Sequence, residues 1–283
     1  MAREGKNKTI IIHSKVSYGY VGLNTTSLVL QMGGQDVITV PTVLFSNHLG
    51  YPTVGGSAVE APLFKDILDG LLKLDILDEV SSIITGYIGS ADLVKLAADF
   101  IRKIKQQDPG ISYLCDPVMG DTGSGLYVPE AVPGAIIEHL IPMADLLTPN
   151  QFEVQHILGR QFQSIDETVA AVNAHYALSG KNLVITGGHY SGTLAGMLEN
   201  CIIAGKQPVV LRARRIDVNP PGTGELFAAH LHLSMLHGKE MKEGVLRAGE
   251  ILTAVLHKMY LENRTQFELK DISYSMDILK TAN

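Results

Sequence analysis

The chain has 283 residues, with 23 Lys and Arg against 29 Asp and Glu, a formal net charge of −6, 46% hydrophobic and 18% charged residues. The acidic balance disfavours a nucleic-acid partner, which requires a basic excess to neutralise phosphates, and the composition excludes a disordered or fibrous chain. No apolar run approaches the ~20 residues that span a bilayer, the opening MAREGKNKTI is too polar for a signal peptide, and Cys115 and Cys201 alone cannot build a disulfide framework, so a cytoplasmic protein without a membrane partner is expected.

Residues 8–13 hold a β-branched run that gives way to polar Ser14 and Lys15, the pattern of a strand opening an α/β unit. Val21, Leu28, Leu30 and Met32 predict a helix over 20–32, stopped by Gly33 and Gly34. A β-rich run at 37–45 leads into SNHLGYPTVGG, read as an irregular loop. A helix follows over 61–74, a strand over 82–85 ending at GYIGS, a helix over 91–106 and a strand over 111–115 ending at Asp116 and Pro117. A helix near 129–140 precedes a strand over 144–147 that stops at TPN; helices near 151–158 and 165–178 precede a strand over 182–185 that stops at TGG. Residues 193–203 and 208–217, separated by AGKQ, predict an antiparallel hairpin, and 223–260 are helical in pattern. The stretch after Tyr260 is expected only to cover the core. Alternating strands and helices without a linker predict one α/β domain over 1–283, with a mainly parallel sheet, right-handed crossovers and helices on both faces.

Several predicted strands end in polar or Gly-containing tags, and in an open parallel sheet ligands gather outside the carboxyl ends of the strands, so these tags should line one crevice. The most informative tag is Gly222-Thr223-Gly224-Glu225 before a long helical pattern. Backbone N–H groups there can face an anion without side chains in the way; equally, the segment can be a plain turn capped by Thr223. Carboxylates for Mg²⁺ are available at Asp116, Asp121 and Glu153, although each could also be a solvated loop residue or a helix cap. A Walker A motif, a protein-kinase catalytic loop and a nucleophile elbow are all missing from the sequence. His230 and His232, two apart on a helix, cannot face one metal together.

The ordered set HSKVSYGYVG, FSNHLGY, TGYIG, CDPVMGD, LYVPE, TPNQFE, VITGG and GTGELFAA resembles the pyridoxal kinase family of the ribokinase-like superfamily, over residues 12–229. The resemblance implies a three-layer α/β/α sandwich, a homodimer, and transfer of the γ-phosphoryl of ATP to the 5′-hydroxymethyl of pyridoxal, pyridoxine or pyridoxamine. It implies that Ser14 bonds the substrate's polar edge while Val21, His48 and Tyr87 enclose the ring, with Leu49 beside them. Asp116, Asp121, Asn150 and Glu153 would organise ATP and Mg²⁺. Thr148 and Thr186, with Asp116, would form a K⁺ or Na⁺ site, and Gly187 would lie beside the nucleotide. Tyr127 would belong to a flap over the phosphates, and residues 216–218, with Ile216 and Val218, would border the adenine. Thr223 and the amides of Gly222 and Gly224 would stabilise the transferring phosphoryl.

Two positions depart from the family pattern. Glu225 stands where the family's catalytic base is Asp, and one extra methylene displaces the carboxylate by about 1.5 Å, a shift on the scale that can cost ~10²-fold in rate. Leu49 stands where many relatives carry Thr. The sequence therefore predicts a pyridoxal kinase, with two alternatives: a catalytically impaired binder of pyridoxal or its phosphate, and a sibling hydroxymethylpyrimidine kinase.

Overall fold

The computed structural model describes residues 6–281 apart from 75 and 206, so the first five residues of the polar opening stretch and one residue of the AGKQ connection lie outside the described residues. The β-branched run at 8–13 extends into strand β1 (Lys8–Val16), in which Ile10, Ile11 and Ile12 are all fully buried. Successive side chains of a strand point to opposite faces, so an unbroken buried run means that both faces are covered. Ile10 and Ile12 pack in one hydrophobic core and Ile11 in a second.

The other strands are β2 (Asp36–Phe45), β3 (Gly56–Ala58), β4 (Val80–Thr85), β5 (Ser112–Cys115), β6 (Gly120–Asp121), β7 (Gly125–Leu126), β8 (Leu146–Leu147), β9 (Asn182–Gly188), β10 (Met197–Ile203) and β11 (Val209–Arg214). Among the described residues β1 and eight of these form one nine-stranded sheet, in the order β11-β10-β9-β8-β5-β4-β1-β2-β3. Pairing is parallel from β9 through β2; β3 and β10 run antiparallel to their neighbours, and β10–β11 is the expected hairpin.

The helices are α1 (Leu23–Met32), α2 (Ala61–Lys73), α3 (Ala91–Gln107), α4 (Ala131–Ala135), α5 (Gln151–Ile157), α6 (Ile165–Ala174), α7 (Thr223–Leu236), α8 (Met241–Leu261) and α9 (Leu269–Thr281). Phe64 of α2, Ile101 of α3, Val132 of α4, Val154 of α5 and Val172 of α6 pack with Ile83 and Ile185 of the sheet. Val29 of α1, Leu231 of α7, Ile251 of α8 and Ile272 of α9 pack with Ile84 and Val184. The architecture is thus a three-layer α/β/α sandwich. Helix α7 is buried continuously from Leu226 to Ser234, and its two histidines serve as core residues. His230 Nε2 pairs with Ser275 Oγ and His232 Nε2 with Ser82 Oγ, both at 2.9 Å.

Several boundaries differ from the sequence reading. Helix α1 starts at Leu23, not at 20, because Gly19 and Gly22 take φ of 102° and 55°. The helix expected over 129–140 passes from α4 into a wide π turn at Ile136–Leu140 and a 3-10 turn at Ile141–Met143, where Pro142 lacks the N–H of a continuing helix. The helix expected over 165–178 ends at Ala174, since His175 is extended. The helical stretch 223–260 divides into α7 and α8 at left-handed Gly238. Asp121, for which a solvated loop was one reading, instead belongs to a small antiparallel β6–β7 ribbon.

Strand β1 lies between β2 and β4, so the chain leaves it in opposite directions along the sheet. The strand order reverses between β1 and β4, and the carboxyl edge of the parallel strands at such a reversal is where doubly wound sheets place ligands.

Candidate active site

Helix α7 begins immediately after Gly222, whose φ of 102° puts it in the left-handed region. A Cβ at Gly222 would lie 2.6 Å from the Tyr20 carbonyl oxygen and 3.3 Å from the Phe267 ring, so only glycine fits without displacement. Thr223 is the first helical residue, and no side chain caps this end. The helix thus starts with N–H groups aimed at a potential anion. Glu225 is half-buried in the first turn, and its Oε1 accepts from the Gly22 N–H at 3.3 Å. Burial pushes the Glu225 carboxyl above its ordinary range, while backbone N–H groups, that of Gly22 among them, oppose that rise.

Asp116 follows β5 directly and is buried; burial and the charge of Glu225 push its carboxyl up to about 8. Glu153 sits in the first turn of α5 and is also buried, with its carboxyl pushed well up by burial and by Asp116. A capping box explains its placement. Asn150 caps α5 by accepting from the Glu153 N–H at 2.9 Å, and Glu153 returns the bond by accepting from the Asn150 N–H at 2.8 Å. The other Glu153 oxygen accepts from the Met119 N–H at 3.0 Å, and Asn150 Nδ2 donates to the Gly120 carbonyl at 2.8 Å. The cap at the end of β8 is thereby tied to the CDPVMGD loop.

Asp121 lies in the β6–β7 ribbon, where its Oδ1 accepts from the N–H groups of Gly123 and Ser124, both at 2.7 Å. Tyr127 follows the ribbon, and the negative field of Glu153, Glu225, Asp116 and Asp121 adds to burial in raising its phenol. The Thr148 hydroxyl is buried beside Asp116, lowers the Asp116 carboxyl slightly, and makes no contact of hydrogen-bond geometry among the described residues. Thr186 N–H donates to the Pro149 carbonyl at 2.9 Å, and left-handed Gly187 donates its N–H to Asn200 Oδ1 at 3.0 Å. Among the described residues no three His, Cys, Asp or Glu converge as a metal cage. Ile216 and Val218 are half-buried beyond β11, and Ile216 lines a groove of about 440 Å³ between β11 and α8.

Ser14, Val21, His48 and Tyr87 are all buried, whereas Leu49 is 43% exposed. Ser14 occupies a bulge, because the β1–β2 register shifts between His13 and Lys15. Its N–H donates to His13 Nδ1 at 2.8 Å. Tyr87 Oη reaches the Tyr127 carbonyl at 3.5 Å, linking the end of β4 to the ribbon. The sequence reading passed over Gly22, although its position in YGYVG, just after a strand, was a signal for close backbone approach. It also missed Gln266, whose Oε1 lies 2.9 Å from His48 Nε2; nothing local in the sequence marks that contact.

The model of the phosphomethylpyrimidine kinase family matches residues 32–268. The chain is 34% identical over 247 residues to the pyridoxine/pyridoxal/pyridoxamine kinase of Bordetella avium, covering 87% of this chain and 83% of that protein. The chain belongs to the pyridoxal kinase family. It is therefore a phosphotransferase of the ribokinase-like superfamily. Among solved structures of pyridoxal kinases, that from Entamoeba histolytica superposes with a TM-score of 0.87 at 26% identity, covering 96% of this chain and 95% of the other. The pyridoxal kinase from Leishmania donovani in complex with ADP and pyridoxamine superposes with a TM-score of 0.85 at 27% identity, covering 97% and 96%.

Proposed function

We propose that this chain transfers the γ-phosphoryl of ATP to the 5′-hydroxymethyl of pyridoxal, pyridoxine or pyridoxamine, with Glu225 as the base. The contact between Glu225 and Gly22 carries this reading. It puts a carboxylate of raised proton affinity between the turn that follows β1, where Val21 lies beyond Ser14 at the strand's end, and the uncapped start of α7. A base there can take the hydroxymethyl proton while the amides of Gly222 and Gly224, with Thr223, stabilise charge on the transferring group. Ser14 supplies a polar anchor; Val21, His48 and Tyr87 supply buried walls for a flat ring. The exposure of Leu49 favours a backbone contact there over a side-chain one.

Asp116, Tyr127, Asn150, Thr186, Gly187, Ile216, Val218 and Thr223 are proposed to receive the nucleotide. The donor set suits Mg²⁺ held by a single carboxylate together with the phosphates it accompanies. Asp116 is the proposed direct ligand. Glu153, with both oxygens engaged by backbone N–H groups, and Asp121, folded onto its own turn, act through water. Mg²⁺ supplies charge neutralisation for the phosphates. The buried Thr148 hydroxyl, with Thr186 and Asp116, suits a K⁺ or Na⁺ ion that steadies the nucleotide loop. By family likeness we assign the whole chain to one kinase domain acting as a cytoplasmic homodimer.

A second reading, a binder without turnover, draws on the same contact, because the Glu225 carboxylate is engaged by the Gly22 N–H and is one methylene longer than the family's Asp. Glu225→Gln and Glu225→Asp separate the two. A kinase loses about 10²-fold or more in kcat with Gln and retains or gains rate with Asp, at little change in KM. A protein that binds pyridoxal with no turnover in any of the three forms is the binder.

A further inference from the structure

The stretch after Tyr260, expected only to cover the core, returns to the site. Between α8 and α9 the chain turns through 263–268, and this turn is anchored from within. Arg264 makes a bidentate pair with the fully buried Asp271, Nη1 to Oδ2 at 2.6 Å and Nη2 to Oδ1 at 2.7 Å. The Glu268 N–H donates to the same carboxylate at 2.8 Å, and Arg264 Nη1 also reaches the Gln266 carbonyl at 3.4 Å. Planar bidentate pairs of this kind fix orientation as well as distance. Two side chains of the turn then meet the site: Phe267 packs under Gly222, and Gln266 Oε1 lies 2.9 Å from His48 Nε2.

The hydrogen bonds of His48 determine its tautomer. The Gly50 N–H donates to His48 Nδ1 at 3.1 Å, so Nδ1 carries a lone pair and no proton. The proton is on Nε2, which donates to Gln266 Oε1. Both ring nitrogens are therefore engaged within the protein, and the ring, which also packs against Tyr51 at 4.5 Å between centroids, offers no free nitrogen to a bound molecule.

We propose that Gln266 is a positioning residue for substrate binding, holding His48 as the Nε2–H tautomer so that it serves as a flat wall and not as a hydrogen-bonding group. This rests on the reading of His48 as part of the vitamer site. It assigns a role to a residue 218 positions away from His48 in the chain.

The test combines spectroscopy with kinetics. In the wild-type protein, long-range ¹⁵N–¹H correlation should show His48 as a fixed Nε2–H tautomer. Gln266→Met keeps the side chain's length but removes the acceptor, and should shift the His48 nitrogens toward tautomer averaging. It should raise KM for the vitamer about fivefold, the worth of one ordinary hydrogen bond, with kcat and the KM for ATP within about twofold of wild type. Gln266→Glu, which retains an acceptor, should keep the fixed tautomer. A wild-type His48 with its proton on Nδ1, or averaged between the nitrogens, overturns the proposal even if Gln266→Met fails to fold. So does a Met variant with unchanged vitamer KM in an active enzyme. If the wild-type protein phosphorylates no vitamer, the functional reading fails separately, and the tautomer measurement still decides the role of Gln266.

Discussion

The Gly22 N–H donates to Oε1 of Glu225 at 3.3 Å, joining two positions 203 residues apart. The turn after β1 and the first turn of α7 therefore behave as one unit, and the Gly22 backbone permits it. At φ 55°, a Cβ on Gly22 would come within 2.2 Å of Ser14 Oγ and 2.4 Å of the Ser14 carbonyl oxygen. Gly22→Ala should lower stability by about 1–3 kcal/mol through strain and collision, and raise KM for the vitamer by displacing Ser14. Denaturant unfolding and steady-state kinetics on the variant check both; unchanged stability and KM contradict the packing described.

Gly222→Ala tests the other side of the same unit. The new methyl would meet the Tyr20 carbonyl oxygen at 2.6 Å, and the Phe267 ring prevents an easy retreat. Displacing the amides at the start of α7 by even ~1 Å should reduce kcat by about 10²-fold, with a smaller effect on the binding of ATP measured by titration. Equal losses in kcat and nucleotide affinity would argue against a role confined to the transition state.

Asp116 gives a pH prediction. Its carboxyl is pushed up to about 8, above the unfolded value, so its stabilising contribution is present at low pH and is lost as pH rises through about 8. Asp116→Asn removes that loss. The melting temperature of Asp116→Asn relative to wild type should therefore climb from pH 5 to about pH 8 and level off above it in the absence of nucleotide. In the wild-type protein Mg²⁺ with ATP should reverse the trend, stabilising more at pH 8.5 than at pH 6.5, because a cation favours the ionised carboxylate. Parallel melting curves across this range would count against a buried, protonated Asp116.

The C-terminal turn should be costly to release. Asp271 is fully buried and accepts from Arg264 twice and from the Glu268 N–H. Asp271→Asn removes the buried partner of the Arg264 guanidinium, leaving it only the more exposed Glu262 and Glu268, and should cost about 1.5–3 kcal/mol in urea unfolding. A variant within about 0.5 kcal/mol of wild type would show that the turn is held by other contacts.

Periodicity recovered the alternating strands and helices because burial on two faces leaves runs such as Ile10-Ile11-Ile12, and the carboxyl-end tags named the residues proposed for the site. The capping box was legible in TPNQFE, since an Asn three positions before a Glu at a helix start is a local signal. What stayed hidden was long-range or depended on backbone shape. The β6–β7 ribbon is two residues per strand and has no periodicity to read. The contacts between Gln266 and His48 and between Gly22 and Glu225 close only when distant segments pack. Glu225 itself was visible as a departure from the family's Asp, but that its carboxylate accepts from the Gly22 N–H is a property of the assembled site.

A substrate panel decides the reaction: the purified protein with ATP, Mg²⁺ and K⁺ is offered pyridoxal, pyridoxine, pyridoxamine and hydroxymethylpyrimidine separately, with products identified by mass spectrometry. The expected products are pyridoxal 5′-phosphate and its analogues, formed one for one with ADP, with a preference for the B6 vitamers. Phosphorylation of hydroxymethylpyrimidine in preference to every vitamer, or no product from any, would contradict the proposed function.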